Sequence, residues 1–254
     1  MGTPHLYSGP GKMQVMAALP DPRDNWLLAA LGDSEWERIA AHLQPVSMPL
    51  GQVLYEPGAK PSHVYFPSTS IVSLLYVMEN GASAEIAVVG NEGLVGVSLF
   101  MGGESTSSQA VVQAEGHGFR LPAAVLMQEF NRGGAVLHLL LRYTQALITQ
   151  MAQTSVCNRH HALDQQLCRW LLLTLDRLHS LDVVMTQDLL STILGVRRAS
   201  ISDVAGRLQK DGLIRYERGH ITVLDRPALE QRVCECYAVV KKEYERLLPD
   251  ITAT

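Results

Sequence analysis

Residues 186–223, TQDLLSTILGVRRASISDVAGRLQKDGLIRYERGHITV, constrain this 254-residue chain more than any other stretch. Counting from Gln187 as one, apolar residues fall at four (Leu190), eight (Leu194), ten (Val196), fifteen (Ile201) and eighteen (Val204). Ser191, small enough for two crossing helices to touch, stands at five. Gly195 stands at nine, where a tight turn needs left-handed backbone that glycine adopts without steric cost. Two short helices meeting at a turn satisfy all these positions together. Beyond them, the apolar runs 214–216 and 221–223 flank Glu217-Arg218-Gly219-His220 and read as a hairpin wing. The pattern is that of a DNA-binding helix-turn-helix, with the recognition helix near 197–209.

Charge supports a local footprint. The chain carries a net charge of −4, yet residues 1–133 hold 6 Lys/Arg against 12 Asp/Glu, while 186–226 hold 7 against 5, with His220 in addition. A nucleic-acid surface needs cations where it docks, so the mild basic bias at 186–226 matters more than the total. No apolar run approaches the roughly 18 to 20 residues that span a bilayer, and no secretory pattern opens the chain. A cytoplasmic protein with no membrane partner is expected. Cys157, Cys168, Cys234 and Cys236 lack zinc-type spacing, which fits a reducing compartment.

In chain order, residues 1–24 are rich in Pro and Gly without periodicity and read as a flexible arm. Short helices follow at 25–31 and 34–43, the second opening on Ser34 and Glu37 in capping-box spacing. Strand-like runs occupy 44–48, 52–55, 63–66, 70–78, 82–89, 107–114 and 116–121, and Asn80-Gly81 between two of them signals a hairpin. That spacing predicts an antiparallel sandwich or barrel. After Pro122 the period turns helical: a short helix at 123–129, then a long one over about 135–158. The long helix carries Leu137, Leu140, Leu141, Thr144, Leu147, Ile148, Met151 and Ser155 every three or four residues. Leu140, Thr144, Leu147, Ile148, Met151 and Ser155 are taken as a seam between two subunits. Arg159-His160-His161 marks a hinge, a helix at 163–178 follows, and Asp225 with Pro227 opens one last helix.

Helices, a β-roll, a long helix and a winged helix-turn-helix in that order resemble the Crp/Fnr family of bacterial transcription regulators. The resemblance covers about residues 26–224. It is most specific at Thr186-Gln187 through Gly195 and Arg198, at Gly212-Leu213-Ile214, and in the β-roll turns Leu50-Gly51-Gln52-Val53-Leu54, Glu56-Pro57-Gly58 and Gly90 through Gly96. It implies an α+β chain with an N-terminal antiparallel, jelly-roll-like sensory domain over 25–134 of cyclic-nucleotide-binding type. A dimerisation helix and hinge over 135–160, a winged helix-turn-helix domain over 161–226 and a C-terminal helix over 227–254 would follow. It also implies a homodimer on double-stranded DNA that meets RNA polymerase if it activates.

On DNA, the start of a recognition helix reaches base edges while helix ends and wings hold phosphate. The resemblance places Arg198 at the family's motif arginine, where a bidentate guanine contact is worth roughly 1–3 kcal/mol of discrimination. Arg197, Ser200 and Ser202 are its base-reading companions; Thr186, Gln187, Arg218 and His220 are the phosphate contacts. Ala199 stands where the family carries glutamate and Asp203 where it carries arginine, so the familiar operator does not transfer.

The sensory pocket departs further. Gly96-Val97-Ser98-Leu99 and Ser107-Ser108-Gln109-Ala110 replace the family's Gly-Glu and Arg-Ser/Thr pairs, and no arginine occurs between Arg38 and Arg120. A cyclic phosphate would lose its paired cation. The effector is left unknown and cAMP is not expected; Gly93, Gly96, Val97, Ser108 and Gln109 are the pocket candidates. No cysteine precedes Cys157, which argues against an oxygen-sensing iron–sulfur cluster near the N-terminus. On one helix, Cys234 and Cys236 would diverge by about 200°, so both read as packing residues. His63 and His117 read as surface or structural side chains rather than haem ligands. No metal and no cofactor are expected, and no Ser-His-Asp, metal-ligand or Walker spacing suggests an enzyme. The rival reading is a ligand- or redox-sensing adaptor whose winged helix binds protein.

Overall fold

The computed structural model describes residues 20–249 except Glu104 and His179, and Asn25 anchors its N-terminal end. Asn25 Nδ2 donates to Pro67 O (2.9 Å) and Gly93 O (2.8 Å), while its Oδ1 caps the first helix by accepting from Leu28 N. Residues 1–19 of the expected arm lie outside the described residues; within 20–24 a single 3-10 turn, Pro22–Asp24, is formed. Helices α1 (Trp26–Ala29) and α2 (Asp33–Ala40) follow. The capping box expected of Ser34 does not form. The helix begins one residue earlier, so Ser34 lies within its first turn and donates to Glu35 instead.

The β-roll comprises β1 (Gln44–Met48), β2 (Val53–Tyr55), β3 (His63–Pro67), β4 (Ile71–Val77), β5 (Ser83–Val89), β6 (Gln109–Ala114) and β7 (Gly116–Pro122). They form two antiparallel sheets in the orders β1-β7-β3 and β2-β6-β4-β5. Met48, Phe66 and Leu121 from the first sheet and Leu74, Ala110 and Val112 from the second are buried in a shared core. The β4–β5 hairpin turns at Asn80-Gly81, with Gly81 at φ 81° and Met78 N donating to Ala82 O at 2.7 Å.

Helix α3 (Ala123–Arg132) leads through Gly133-Gly134 to α4 (Ala135–His160), whose 26 residues run roughly 39 Å at 1.5 Å per residue. His161, in extended conformation, ends α4 and turns the chain into α5 (Leu163–Leu175). The helix-turn-helix domain continues with β8 (Asp182–Val184), α6 (Gln187–Leu194), α7 (Arg198–Lys210), β9 (Ile214–Glu217) and β10 (His220–Val223), its sheet in the order β8-β10-β9. The sequence does not announce β8, because three residues are too few to display a period of two. The chain closes with α8 (Arg226–Arg232) and α9 (Cys236–Leu247). One helix was expected there. It breaks after Arg232, with Val233 in extended conformation, so Cys234 stands off the helix and its separation from Cys236 is not helical.

The seam assigned on α4 also needs correction. Leu140, Thr144 and Leu147 are buried within their own chain, and Met151 is partly buried against that core. Ile148 and Ser155 are exposed. The apolar face left open is rotated by about one residue and consists of Leu141 (48% exposed), Ile148 (53%) and Val156 (48%). The stripe is one face about 120° wide; its Leu140–Leu147 edge turns into the chain's own core and its Leu141–Ile148 edge stays open, a division the sequence could not place. No helix among the described residues is long and apolar enough to cross a membrane.

Candidate nucleic-acid interface

The turn between α6 and α7 is built as the spacing requires. Thr186 Oγ1 caps α6 by accepting from Leu189 N at 3.2 Å. Gly195 takes φ 65°, and Val196 N donates back to Ser191 O at 3.0 Å, which closes the turn. Leu190, Ile193, Leu194, Ile201, Val204 and Leu208 are buried between and beneath the two helices.

That packing sets the starts of both helices side by side at the surface. Gln187 Oε1 accepts from Ser202 Oγ at 2.8 Å and from Arg198 Nε at 3.4 Å, and Arg198 Nη1 lies 3.2 Å from Asp188 Oδ1. Thr186, Gln187, Arg198 and Ser202 therefore share one polar patch. The arginine side chain is 64% exposed and the aspartate 71%, so their ion pair contributes about 0–1 kcal/mol and leaves the guanidinium free to exchange partners. Arg197 is exposed at the start of α7 and offers no side-chain cap, so the first N–H groups of α7 are not satisfied by it; Ser200 is half-buried beside it. Asp188 is the member that sequence reasoning missed, since nothing in its spacing signals a partner ten residues away.

The wing is a two-residue hairpin, Arg218-Gly219, between the paired Glu217 and His220. Arg218 sits at φ 52°, alone among described non-glycine residues in positive φ. Met185 N donates to Gly219 O at 2.7 Å, which draws the wing tip against the start of α6, with Thr186 beside Gly219. Tyr216 Oη donates to Met185 O at 2.9 Å; burial pushes this hydroxyl up to about 12, so it remains a neutral donor. Arg218 and His220 are exposed, on a groove they share with Arg215, Asp182 and Glu217. The two carboxylates reduce the net positive charge there.

In the β-roll, a cavity of 250 Å³ opens between β2, β4, β5 and α4. Of the five pocket candidates, Val97 and Ser108 line it. Gly93 does not: it packs against Tyr143, and a Cβ there would stand 2.4 Å from the Tyr143 hydroxyl. Gly96 packs on Val64, and Gln109 turns away to donate to Glu56 at 2.7 Å. The remaining wall is Tyr55, Leu74, Tyr76, Ile86, Ser98, Thr106 and Met151. Met151, assigned to the seam, thus faces the cavity. Burial pushes the Tyr55 hydroxyl up to about 12, against a weaker opposing pull from Ser108. Ser98 Oγ is buried without a hydrogen-bond partner. Among the described residues, no cation lines this cavity. Nδ1 of His63 and Nδ1 of His117 are hydrogen-bonded to hydroxyls, of Ser62 (2.8 Å) and Thr69 (3.0 Å) respectively.

Residues 45–132 match the cyclic nucleotide-binding domain and residues 165–232 the Crp-like helix-turn-helix domain, together more than half the chain. The chain belongs to the Crp/Fnr family. Several solved Crp/Fnr structures share its fold. FixK2 from Bradyrhizobium japonicum superposes with a TM-score of 0.66 at 15% identity, covering 76% of this chain and 98% of that one. The c-di-GMP-responsive global regulator CLP from Xanthomonas campestris gives 0.62 at 15% identity, covering 74% and 97%. TTHA1359, a CRP/FNR-family transcriptional regulator from Thermus thermophilus, gives 0.58 at 22% identity, covering 74% and 97%. No curated protein is similar enough to match. As a Crp/Fnr chain, it combines a β-roll of cyclic nucleotide-binding type with a helix-turn-helix DNA-binding domain, the architecture of a transcriptional regulator.

Proposed function

We propose that the protein is a cytoplasmic, non-enzymatic regulator that binds specific double-stranded DNA as a homodimer. Arg197, Arg198, Ser200 and Ser202 read bases, and Thr186, Gln187, Arg218 and His220 hold phosphate. The observation that carries this reading is the exposed patch in which Gln187 and Asp188 hold Arg198 and Ser202 at the start of α7. In the complex, Arg198 exchanges Asp188 for a base edge. If the protein activates, RNA polymerase is a further partner.

The effector is uncharged and partly apolar. A wall of tyrosines, hydroxyls and aliphatic side chains offers a cyclic phosphate no paired cation, which supports excluding cAMP. Met151 carries the cavity wall onto α4, so an occupant bears directly on the helix that leads to the DNA-binding domain.

Selection of bound genomic fragments, followed by mobility-shift titration over a range of salt, tests the DNA reading. A log–log slope proportional to the phosphates neutralised is expected. Arg198→Ala should lose about 1–3 kcal/mol against the selected site and little against random DNA. Binding that ignores salt, or that survives loss of both Arg197 and Arg198, would instead favour an adaptor that docks protein.

A further inference from the structure

Four potential metal ligands from distant parts of the sequence converge at the end of α4. Cys157 lies in the last turn of α4, His161 ends that helix, Cys234 occupies the break before α9, and Cys236 begins α9. Their ligand atoms all lie within 4.8 Å of one another. Cys157 Sγ is 3.6 Å from Cys234 Sγ, and Cys236 Sγ is 3.3 Å from His161 Nδ1. A tetrahedral zinc with bonds of about 2.3 Å to sulfur and about 2.05 Å to nitrogen holds its ligands roughly 3.5–3.8 Å apart. The Cys157–Cys234 and Cys236–His161 pairs, at 3.6 and 3.3 Å, are close to those spacings, and the widest separation, within 4.8 Å, needs to close by no more than about 1 Å. The set is too small for a cluster of several irons, which would spread its thiolates further.

We infer that Cys157, His161, Cys234 and Cys236 bind a single zinc-class divalent cation in a closed, structural site. The surroundings support this independently of the four ligands. His161 presents Nδ1 to the centre while its Nε2 lies 3.4 Å from a Glu235 carboxylate oxygen, the outer partner that fixes the ring and its tautomer at a metal. Gln153 Nε2 donates to Cys236 Sγ at 3.1 Å, an outer hydrogen bond to one of the sulfurs. Arg169, buried, donates to Thr154 one turn before Cys157 and brings a guanidinium to the same end of α4. The three cysteines form a buried group apart from the main apolar core. Three thiolates with an imidazole make a soft donor set suited to zinc, and with all four positions taken by protein none is left for a substrate. On binding, each thiol passes its proton to solvent and the four donor pairs bond the cation, with no change of oxidation state. The ion ties the end of α4 to the α8–α9 junction and so braces the hinge below the DNA-binding domain.

The full chain, expressed with zinc supplied and purified without chelator, should carry one ion per chain by elemental analysis and native mass spectrometry. Replacing zinc with cobalt should give the intense visible bands of a tetrahedral cobalt thiolate. Cys234→Ser should abolish both signals, while Cys168→Ser, at a buried cysteine outside the group, should leave both intact. Because a cysteine variant can misfold, Glu235→Gln is the second arm. Its side chain is exposed, and the change should weaken cobalt affinity by about 10–100-fold with the fold unchanged by circular dichroism. A zinc-grown chain with neither ion nor cobalt spectrum overturns the site. So does an ion retained by Cys234→Ser, or a Cys157–Cys234 disulfide that takes up no metal after reduction. None of these results bears on whether Arg198 reads DNA.

Discussion

Arg198 and Arg218 differ in what holds them. Arg198 rests on Gln187 and Asp188, whereas Arg218 occupies a left-handed backbone position that an L-residue with a Cβ enters at a cost of about 1–2 kcal/mol. Glycine would remove that cost. Arg218→Gly should raise the melting temperature while weakening DNA binding about equally across sequences, with a salt slope shallower by about one. A variant that is more stable but binds DNA as before would show that the wing does not touch phosphate. The correction at Gly93 belongs to the same scale. A glycine in the 90–96 turn was expected to face the pocket, yet Tyr143 takes the space beside it.

At the level of elements, α4 shows where periodicity runs out. Its apolar residues recur every three or four positions across one wide face, and the β-roll and α9 cover most of them. Leu147, 1% exposed, belongs to the chain's own core, so Leu147→Arg should unfold the protein by burying an unpaired charge. Leu141 and Ile148 lie on the open face. Replacing both with Arg should leave the melting temperature within a few degrees and convert the proposed homodimer to monomer in sedimentation velocity. A dimer that persists would place the interface elsewhere. The broken C-terminal helix carries the same lesson. The stripe Leu229, Val233, Tyr237, Val240 and Tyr244 is continuous in sequence, and only the extended backbone at Val233 separates α8 from α9.

Across the whole molecule, the two domains meet through buried polar groups. Glu92 of the β-roll pairs with Arg177 after α5 at 2.7 Å. Arg177 also donates to Gln150 on α4, and Gln150 donates to Val88 O on β5. Glu85 lies near this joint. Burial pushes its carboxyl up to about 7, against the opposing pull of Ser73, Arg169 and Arg177. Ser73 Oγ is 2.5 Å from both Glu85 and Gln113, an arrangement a protonated carboxyl can complete by donating to the serine. Because the folded state holds this proton more tightly than the unfolded chain, Glu85 contributes stability that is fully present below about pH 4.5 and lost as pH rises through about 7. Glu85→Gln, which keeps the shape without the titration, should flatten the melting temperature between pH 5 and 8. Equal slopes in both proteins would assign the pH dependence to another group.

The sequence alone determined what depends on near neighbours in the chain. The spacing around Gly195 set the helix-turn-helix, Asn80-Gly81 set the β4–β5 hairpin, and alternation set most strands of the roll, because backbone periods of 2 and 3.6 repeat within a few residues. Tertiary structure decided whatever requires two distant segments to meet. It chose which face of α4 stays open, turned Gln109 and the two glycines out of the cavity, and paired Asp188 with Arg198. It also gathered Cys157 and His161 with two cysteines more than seventy residues away. No local rule contains those meetings.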